Sequence, residues 1–139
     1  MRIMAIDYGD AHTGIAISDL TGLLAGYTTT LHSRRQEDIL AGIASLVREY
    51  GVTELVLGYP KNMDGTSGPR AEKAQELAER LEAALELPVR LWDERRTTID
   101  AHNILAAAGQ NAKKRKKTVD AVAAALILEG YLTYRRLQG

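Results

Sequence analysis

"IMAIDYGDAHTGIAISD", residues 3–19, contains two apolar runs separated by a short loop. The apolar centre of residues 2–8 predicts a buried strand, and residues 14–18, GIAIS, predict a second one. Gly9 and Gly14 bracket the loop between the two runs. We therefore expect an antiparallel hairpin at the start of the chain.

Beyond this hairpin, the apolar pattern predicts three further strands and four helices. We expect the strands at residues 23–31, 53–59 and 88–93. The first helix carries the apolar stripe from Ile39 to Tyr50 and ends at Gly51, and the second runs from Pro69 to Leu85. We expect the third at residues 97–108, ended by Gly109, and the fourth at about 119–136. The first three strands can form a meander, and helical crossovers make the later pairings parallel. The pattern predicts a mixed five-stranded sheet covered by helices.

Composition limits the class of protein. The 139 residues fit one domain spanning residues 1–139, and 45% hydrophobic residues indicate a globular chain. No apolar run is long enough to span a membrane, the start lacks a signal-peptide pattern, and there are no cysteines. We therefore expect a cytoplasmic protein without a membrane partner.

Asp7 ends the first predicted strand, where a buried carboxylate is costly unless something offsets its charge. It could accept backbone hydrogen bonds in an Asx-turn, or it could hold a metal. Asp120 offers the same choice. Thr118 could cap the last helix with Asp120 in its first turn, or the spacing to Ala123 and Ile127 could direct Asp120 toward the sheet.

Asp93 and Glu94 end the fifth predicted strand, followed by Arg95 and Arg96. They could form solvated ion pairs with these arginines. Adjacent strand residues point to opposite faces, so only one acid can join a cluster with Asp7. Glu94 has the longer reach and is preferred, with Asp93 as the alternative.

Three carboxylates without a histidine or cysteine partner suit a hard divalent ion such as Mg²⁺ or Mn²⁺. Such ions support phosphodiester hydrolysis. The net charge is zero, but a predicted basic loop of five residues precedes Asp120 and could contact a phosphate backbone or only be solvated. The candidate nucleic-acid contacts are Lys113, Lys114, Arg115, Lys116 and Lys117, with Lys61, Arg70, Arg95 and Arg96. We interpret His12, His32 and His102 as scattered surface residues.

Four stretches resemble the YqgF family, also called RuvX, of the RNase H-like superfamily. They are AIDYGDAHTGIAISD, LGYPKNMDGTSGPRA, WDERRTT and KKRKKTVDAVAAALIL, in that order between residues 5 and 128. The resemblance implies an RNase H-like fold with sheet order 3-2-1-4-5 and a bacterial, cytoplasmic protein. It implies a nuclease for the 5′ end of precursor 16S ribosomal RNA, or a Holliday junction resolvase, with Asp7, Glu94 and Asp120 as catalytic metal ligands.

The sequence departs from relatives at three places. Gly58 lies near the end of the fourth strand, where RuvC resolvases carry an acid. Ala123 lies one helical turn after Asp120, where RuvC resolvases often carry a second acid. Asp10–Ala11 stands in the first loop, where relatives often carry a Thr–Lys pair.

The residues leave other function classes open. One is a nucleic-acid-binding module without catalysis, and another is a phosphate-binding ATPase of the actin and sugar-kinase type. The latter needs two such lobes, and this chain has room for one. Junction cleavage requires a two-fold dimer, whereas the sequence is compatible with a monomer or a homodimer.

Overall fold

A computed structural model describes residues 2–19, 25–59, 68–93 and 112–138. The described elements are β1 (Arg2–Asp7), β2 (His12–Ser18), β3 (Ala25–His32), α1 (Gln36–Tyr50), β4 (Val52–Tyr59), α2 (Pro69–Leu85), β5 (Val89–Asp93) and α3 (Ala112–Gln138). The helix predicted at 97–108 lies outside the described residues.

The five strands form one sheet in the order β3-β2-β1-β4-β5. β2 pairs antiparallel with β1 and β3, whereas β4 pairs parallel with β1 and β5. The predicted mixed sheet and its strand order are therefore confirmed. β2 begins at His12, two residues before its predicted start at Gly14, and Gly14 pairs with Asp7.

Two predicted helix boundaries are confirmed. α1 ends before Gly51, whose φ of 66° is left-handed and whose N–H donates to the Val47 carbonyl. α2 begins at Pro69, where the missing N–H costs no intrahelical hydrogen bond.

The start of the last helix was predicted wrongly. α3 begins at Ala112, so Lys113 to Lys117 are helical and do not form a loop. Thr118 is inside the helix and cannot be its cap. Lysine, arginine and alanine are strong helix formers, and repulsion between like charges one turn apart costs only a few tenths of a kcal/mol, about 0.2–0.5 per pair.

The two faces of the sheet carry different cores. Large apolar side chains on one face pack against α1 and α2: Met4, Ile6, Ile15, Ile17, Leu55 and Leu57. The other face is covered by α3 and presents the smaller residues Ala5, Ala16 and Val56 beside one large residue, Ile3. None of the helices within the described ranges is long and apolar enough to cross a membrane.

Candidate active site

Asp7 is the last residue of β1, the central strand, and its side chain is half-buried. Ile3 and Ala5 contact the cluster under α3, and residues two apart on a strand share a face. Asp7 therefore belongs to the α3 face, at the carboxyl end of the strand. Neighbouring strands on both sides hold β1 in place, so this carboxylate has a rigid support.

Glycines lie beside Asp7 on both neighbouring strands. Gly14 of β2 is its direct partner. On the other side Ile6 pairs with Leu57, so continuing the register by one residue places Gly58 next to Asp7. Neither neighbour carries a side chain into this row of the α3 face. Carboxylate oxygens are hard donors of the kind that divalent ions such as Mg²⁺ prefer.

The loop after Asp7 depends on a close backbone approach at Gly9. A Cβ atom at Gly9 would lie 2.3 Å from the carbonyl oxygen of His12, too close for any side chain. Glycine is therefore required for the tight connection between β1 and β2. This connection determines where β1 ends, at Asp7, and where β2 begins.

The structure brings together two histidines that the sequence analysis treated as scattered. His12 and His32 are cross-strand partners, and their Nδ1 atoms are 2.8 Å apart. The Ser33 N–H donates to the Ala11 carbonyl, so His12 and His32 occupy the adjacent non-hydrogen-bonded pair, where side chains are closest. At this distance one ring nitrogen donates a hydrogen bond to the other. Nothing in the local sequence indicates this pair, because it depends on the register between β2 and β3.

A cavity opens on the opposite face at the same end of the sheet. It is lined by Tyr8, Gly9, Asp10, Arg34 and Lys73. The Tyr8 hydroxyl accepts a hydrogen bond from Gln36 Nε2 at 3.4 Å, which ties the loop to α1. The two cations give this cavity the chemistry to contact a phosphate. None of these residues was a predicted site residue, because their proximity arises from the packing of α1 and α2.

The contacts of α3 show which strands it covers. Ala124 belongs to the buried cluster that includes Ala5 of β1 and Ala16 of β2, whereas Tyr131 donates a hydrogen bond to Glu54 of β4 and lies against Trp92 of β5. The C-terminal half of the helix is therefore near β4 and β5. Position 120 is one turn before Ala124.

The other predicted site residues are described by their backbone alone or lie outside the description. Glu94, Lys61, Arg95 and Arg96 lie outside the described residues. The structure gives backbone positions, without side-chain surroundings, for Asp93 at the end of β5, Arg70 in the first turn of α2, and Asp120 and Lys113 to Lys117 in α3. Within the described part of the chain, no three histidine, aspartate or glutamate side chains form a group that could hold a metal. The predicted convergence of Asp7, Glu94 and Asp120 thus stays a prediction.

Comparison with known proteins agrees with this fold. A family model described as RuvX, Holliday junction resolvase, matches residues 1–134. A Halothermothrix orenii protein named "Putative pre-16S rRNA nuclease" is 45% identical over 135 residues, covering 97% of this chain and 96% of its own length. A Bacillus subtilis protein of the same name is 44% identical over 134 residues, covering 95% of this chain and 97% of its own.

A solved structure shares the architecture at low sequence identity. T. thermophilus RuvC in complex with Holliday junction substrate matches with a TM-score of 0.66 and 13% identity, over 100% of this chain and 98% of that chain. At this identity the match shows the fold alone. It confirms the RNase H-like fold that the resemblance implied.

Proposed function

The chain belongs to the RuvX family, and we propose that it is a metal-dependent nuclease that hydrolyses phosphodiester bonds in structured nucleic acid. The observation that carries the proposal is Asp7. This carboxylate ends the central strand between two glycines, on the face that α3 covers. The rigid support of this strand end suits a metal ligand, which must be held in one place, whereas a turn cap can lie in any loop.

Glu94 and Asp120 complete the proposed ligand set. Trp92 contacts the cluster under α3, so it lies on the face of Asp7. Adjacent strand residues point to opposite faces, so only one of Asp93 and Glu94 can join a cluster with Asp7. The longer reach of its side chain favours Glu94. The place of Asp120 in α3 supports it as a ligand, because it is one turn before Ala124, which belongs to the same buried cluster as Ala5 of β1.

Oxygen ligands of this kind fit Mg²⁺ or Mn²⁺, which when bound would activate water and stabilise the leaving oxygen of the phosphodiester. The protein's own residues hold and orient the substrate. Asp7 is carried by a strand with neighbours on both sides, so its carboxylate stays in one place while the nucleic acid binds. The proposed assignment requires Asp7, Glu94 and Asp120 to be ionised.

The basic run contributes substrate binding in this proposal. Lys113 to Lys117 concentrate five positive charges in the first turns of α3, where they could contact a phosphate backbone. Lys61, Arg70, Arg95 and Arg96 would extend this surface. These contacts supply affinity and orientation, not sequence recognition.

We propose precursor 16S ribosomal RNA as the substrate, processed at its 5′ end in the cytoplasm. The names of the relatives support this choice, since they are more than 40% identical over nearly the whole chain. Cleavage of Holliday junctions is the second candidate, favoured by the description of the family model. That reaction requires two cuts related by symmetry and hence a homodimer, whereas RNA processing can proceed with a monomer.

One assay separates these functions. Purified protein is incubated with precursor ribosomal RNA, single-stranded DNA or a four-way junction, with Mg²⁺, Mn²⁺ or EDTA. We expect metal-dependent cleavage of the RNA that Asp7→Asn and Asp120→Asn each abolish while binding is retained. Metal-dependent cleavage of the junction alone would favour the resolvase, and binding without cleavage by wild type would show a non-catalytic module.

A second series tests the residue assignments. Glu94→Gln should be inactive, and Asp93→Asn should cleave; the reverse result would exchange their roles. Replacing Lys113 to Lys117 with glutamine should reduce the slope of log affinity against log salt by about 0.7–0.9 for each phosphate that the variant no longer binds. An unchanged slope would show that this run is only solvated.

A further inference from the structure

A cluster of three aromatic rings lies where β5 meets the C-terminal half of α3. Trp92 is 6.0 Å from Tyr131 and 6.1 Å from Tyr134 between ring centroids, and Tyr131 and Tyr134 are stacked at 6.4 Å. Tyr131 is buried, whereas Tyr134 is 49% exposed. The cluster therefore has a packed base and an accessible ring.

The packed base is built from specific contacts. The Tyr131 hydroxyl donates to Glu54, which also pairs with Arg135 at 3.2 Å. Trp92 lies against α3 at Gly130, where an added Cβ atom would be 3.2 Å from the indole ring. Glycine inside a helix costs about 1 kcal/mol relative to alanine, and here it provides the space in which the indole ring lies.

Arginines lie on both elements that form the cluster. Arg90 is two residues before Trp92 on β5 and is exposed, and Arg136 is exposed next to the Glu54–Arg135 pair. Burial and the Glu54 carboxylate raise the pKa of the Tyr131 phenol, whereas the charges of Arg135 and Arg90 lower it. The Arg90 charge therefore lies near this cluster. An exposed aromatic ring among arginines is the chemistry that binds a base together with its phosphate.

The cluster is also continuous with the candidate active site. Trp92 pairs with Gly58, and the register places Gly58 beside Asp7. Asp7, Gly58 and Trp92 thus form one row on the α3 face, with Trp92 two strand spacings, about 10 Å, from Asp7. A strand of nucleic acid held at Asp7 passes over a residue without a side chain before it reaches the aromatic rings.

We propose that Trp92 and Tyr134, with Arg90, form a stacking platform for unpaired bases of a single-stranded segment that extends from the active site. This inference rests on the proposed nuclease function and adds a binding subsite that selects single-stranded flanks. Base stacking on an aromatic ring tolerates any sequence. The platform therefore gives a preference for unpaired nucleic acid without sequence recognition.

The protein contains one tryptophan, so its intrinsic fluorescence reports on this platform directly. The titration uses the Asp7→Asn variant, which leaves the probe uncut, and a single-stranded RNA of about 12 nucleotides, within the usual site sizes. We expect the RNA to quench Trp92, and a DNA single strand to do the same. A duplex of the same length should quench much less, because its bases are already stacked.

Variants at Tyr134 test the stacking itself. In the same background, Tyr134→Ala should weaken RNA binding by about fivefold or more, the loss expected for one stacked base. Tyr134→Phe retains the ring and should bind as the parent does. Tyr27→Ala is the matched control, since Tyr27 is 37% exposed, stacks on Tyr50 near Arg2 and lies on β3 at the far edge of the sheet.

The outcomes are separable from those of the cleavage assay. Wild-type cleavage without Trp92 quenching, or with equal affinity for Tyr134→Ala, would overturn the platform and leave the nuclease intact. Quenching and a Tyr134 effect in a protein that never cleaves would support the platform and refute the nuclease. A Tyr134→Ala variant that changes only the self-association of the protein would show an interface between two copies and overturn the platform.

Discussion

The two faces of the sheet are built from the same strands but differ in the size and polarity of their side chains. Under α1 and α2, large residues such as Ile6, Ile15 and Leu57 fill the core. Under α3, Ala5 and Ala16 meet Ala124 of the helix. Small residues allow a helix to lie close to its neighbour, because the axis separation depends on the side chains between them.

Function follows this difference. The described residues of the proposed active site and platform, Asp7 and Trp92 among them, belong to the α3 face. The large side chains buried under α1 and α2 stabilise the fold, since this free energy grows with the apolar area removed from water. The face under α1 and α2 thus holds the sheet together, whereas the α3 face can carry polar groups whose burial is costly.

The largest expected effect is on the face that packs against α1 and α2. Leu57→Ala should lower the free energy of unfolding by about 2–5 kcal/mol, because it removes buried methyl groups and leaves a cavity. Urea unfolding of the purified protein measures it. Leu91→Ala is the control, because Leu91 is 43% exposed and its truncation should change stability by no more than about 0.5 kcal/mol. Equal losses in both variants would contradict the assignment of the core to this face.

The next effect concerns metal on the α3 face. Wild type should gain about 2.7 kcal/mol when Mn²⁺ is in hundredfold excess over its Kd, and Asp7→Asn should gain much less. In EDTA, Asp7→Asn should melt at or above the wild-type temperature, because each close pair of like charges costs about 1–4 kcal/mol.

Thermal melts with Mn²⁺ and with EDTA measure both quantities. Asp10→Asn is the matched control, since Asp10 lies in the same loop but lines the cavity on the opposite face, and it should keep the full metal shift. An Asp7→Asn protein that is less stable in EDTA and retains the metal shift would show that Asp7 only caps a turn.

A smaller effect is expected when the close approach of α3 is disturbed. Ala124→Leu should cost about 1–3 kcal/mol, because the fully buried site has no room for three more carbon atoms. Ala84→Leu places the same change on an exposed position of α2 and should be close to neutral. Unfolding by urea compares the two. A neutral Ala124→Leu would mean that α3 is packed loosely enough to move away from the sheet.

The smallest effect is a pH dependence at the far end of the same face. Burial and the Glu54 carboxylate raise the pKa of Tyr131 above its usual 10.0. The folded state therefore keeps this proton at a pH where the unfolded state loses it, so the stabilisation is complete below pH 10 and decreases as the pH rises toward the folded pKa.

Tyr131→Phe removes this titration together with its hydrogen bond to Glu54. At neutral pH the variant should be less stable by about 1 kcal/mol, the usual net value of one hydrogen bond. The difference from wild type should stay constant up to about pH 10 and decrease above it. Guanidinium unfolding across this range measures it, and a constant difference at higher pH would contradict the raised pKa.

Much of the architecture was accessible from local sequence signals. Short apolar runs, and for residues 23–31 the threonine and tyrosine content, predicted the five strands, and Gly51 and Pro69 predicted where α1 ends and α2 begins. These signals act through the backbone of a few adjacent residues, so they operate before any long-range contact exists. Asp7 could be selected for the same reason, because a carboxylate at the end of an apolar strand is costly wherever the strand is placed.

The start of α3 shows where a local rule failed. The five cations suggested a solvated loop and Thr118 a cap, yet the structure has a helix from Ala112. A charge run contains no helix breaker, so the helix that packs on the sheet can extend through it at little cost.

Register, by contrast, was decided by the tertiary structure. The sequence by itself determined which residues are in strands, but not that Gly14 lies beside Asp7, that His12 meets His32, or that Trp92 pairs with Gly58. A shift of one residue would move each of these groups to the other face of the sheet. Only the simultaneous burial of both faces, large residues against α1 and α2 and small residues against α3, selects the register that produces the proposed active site and platform.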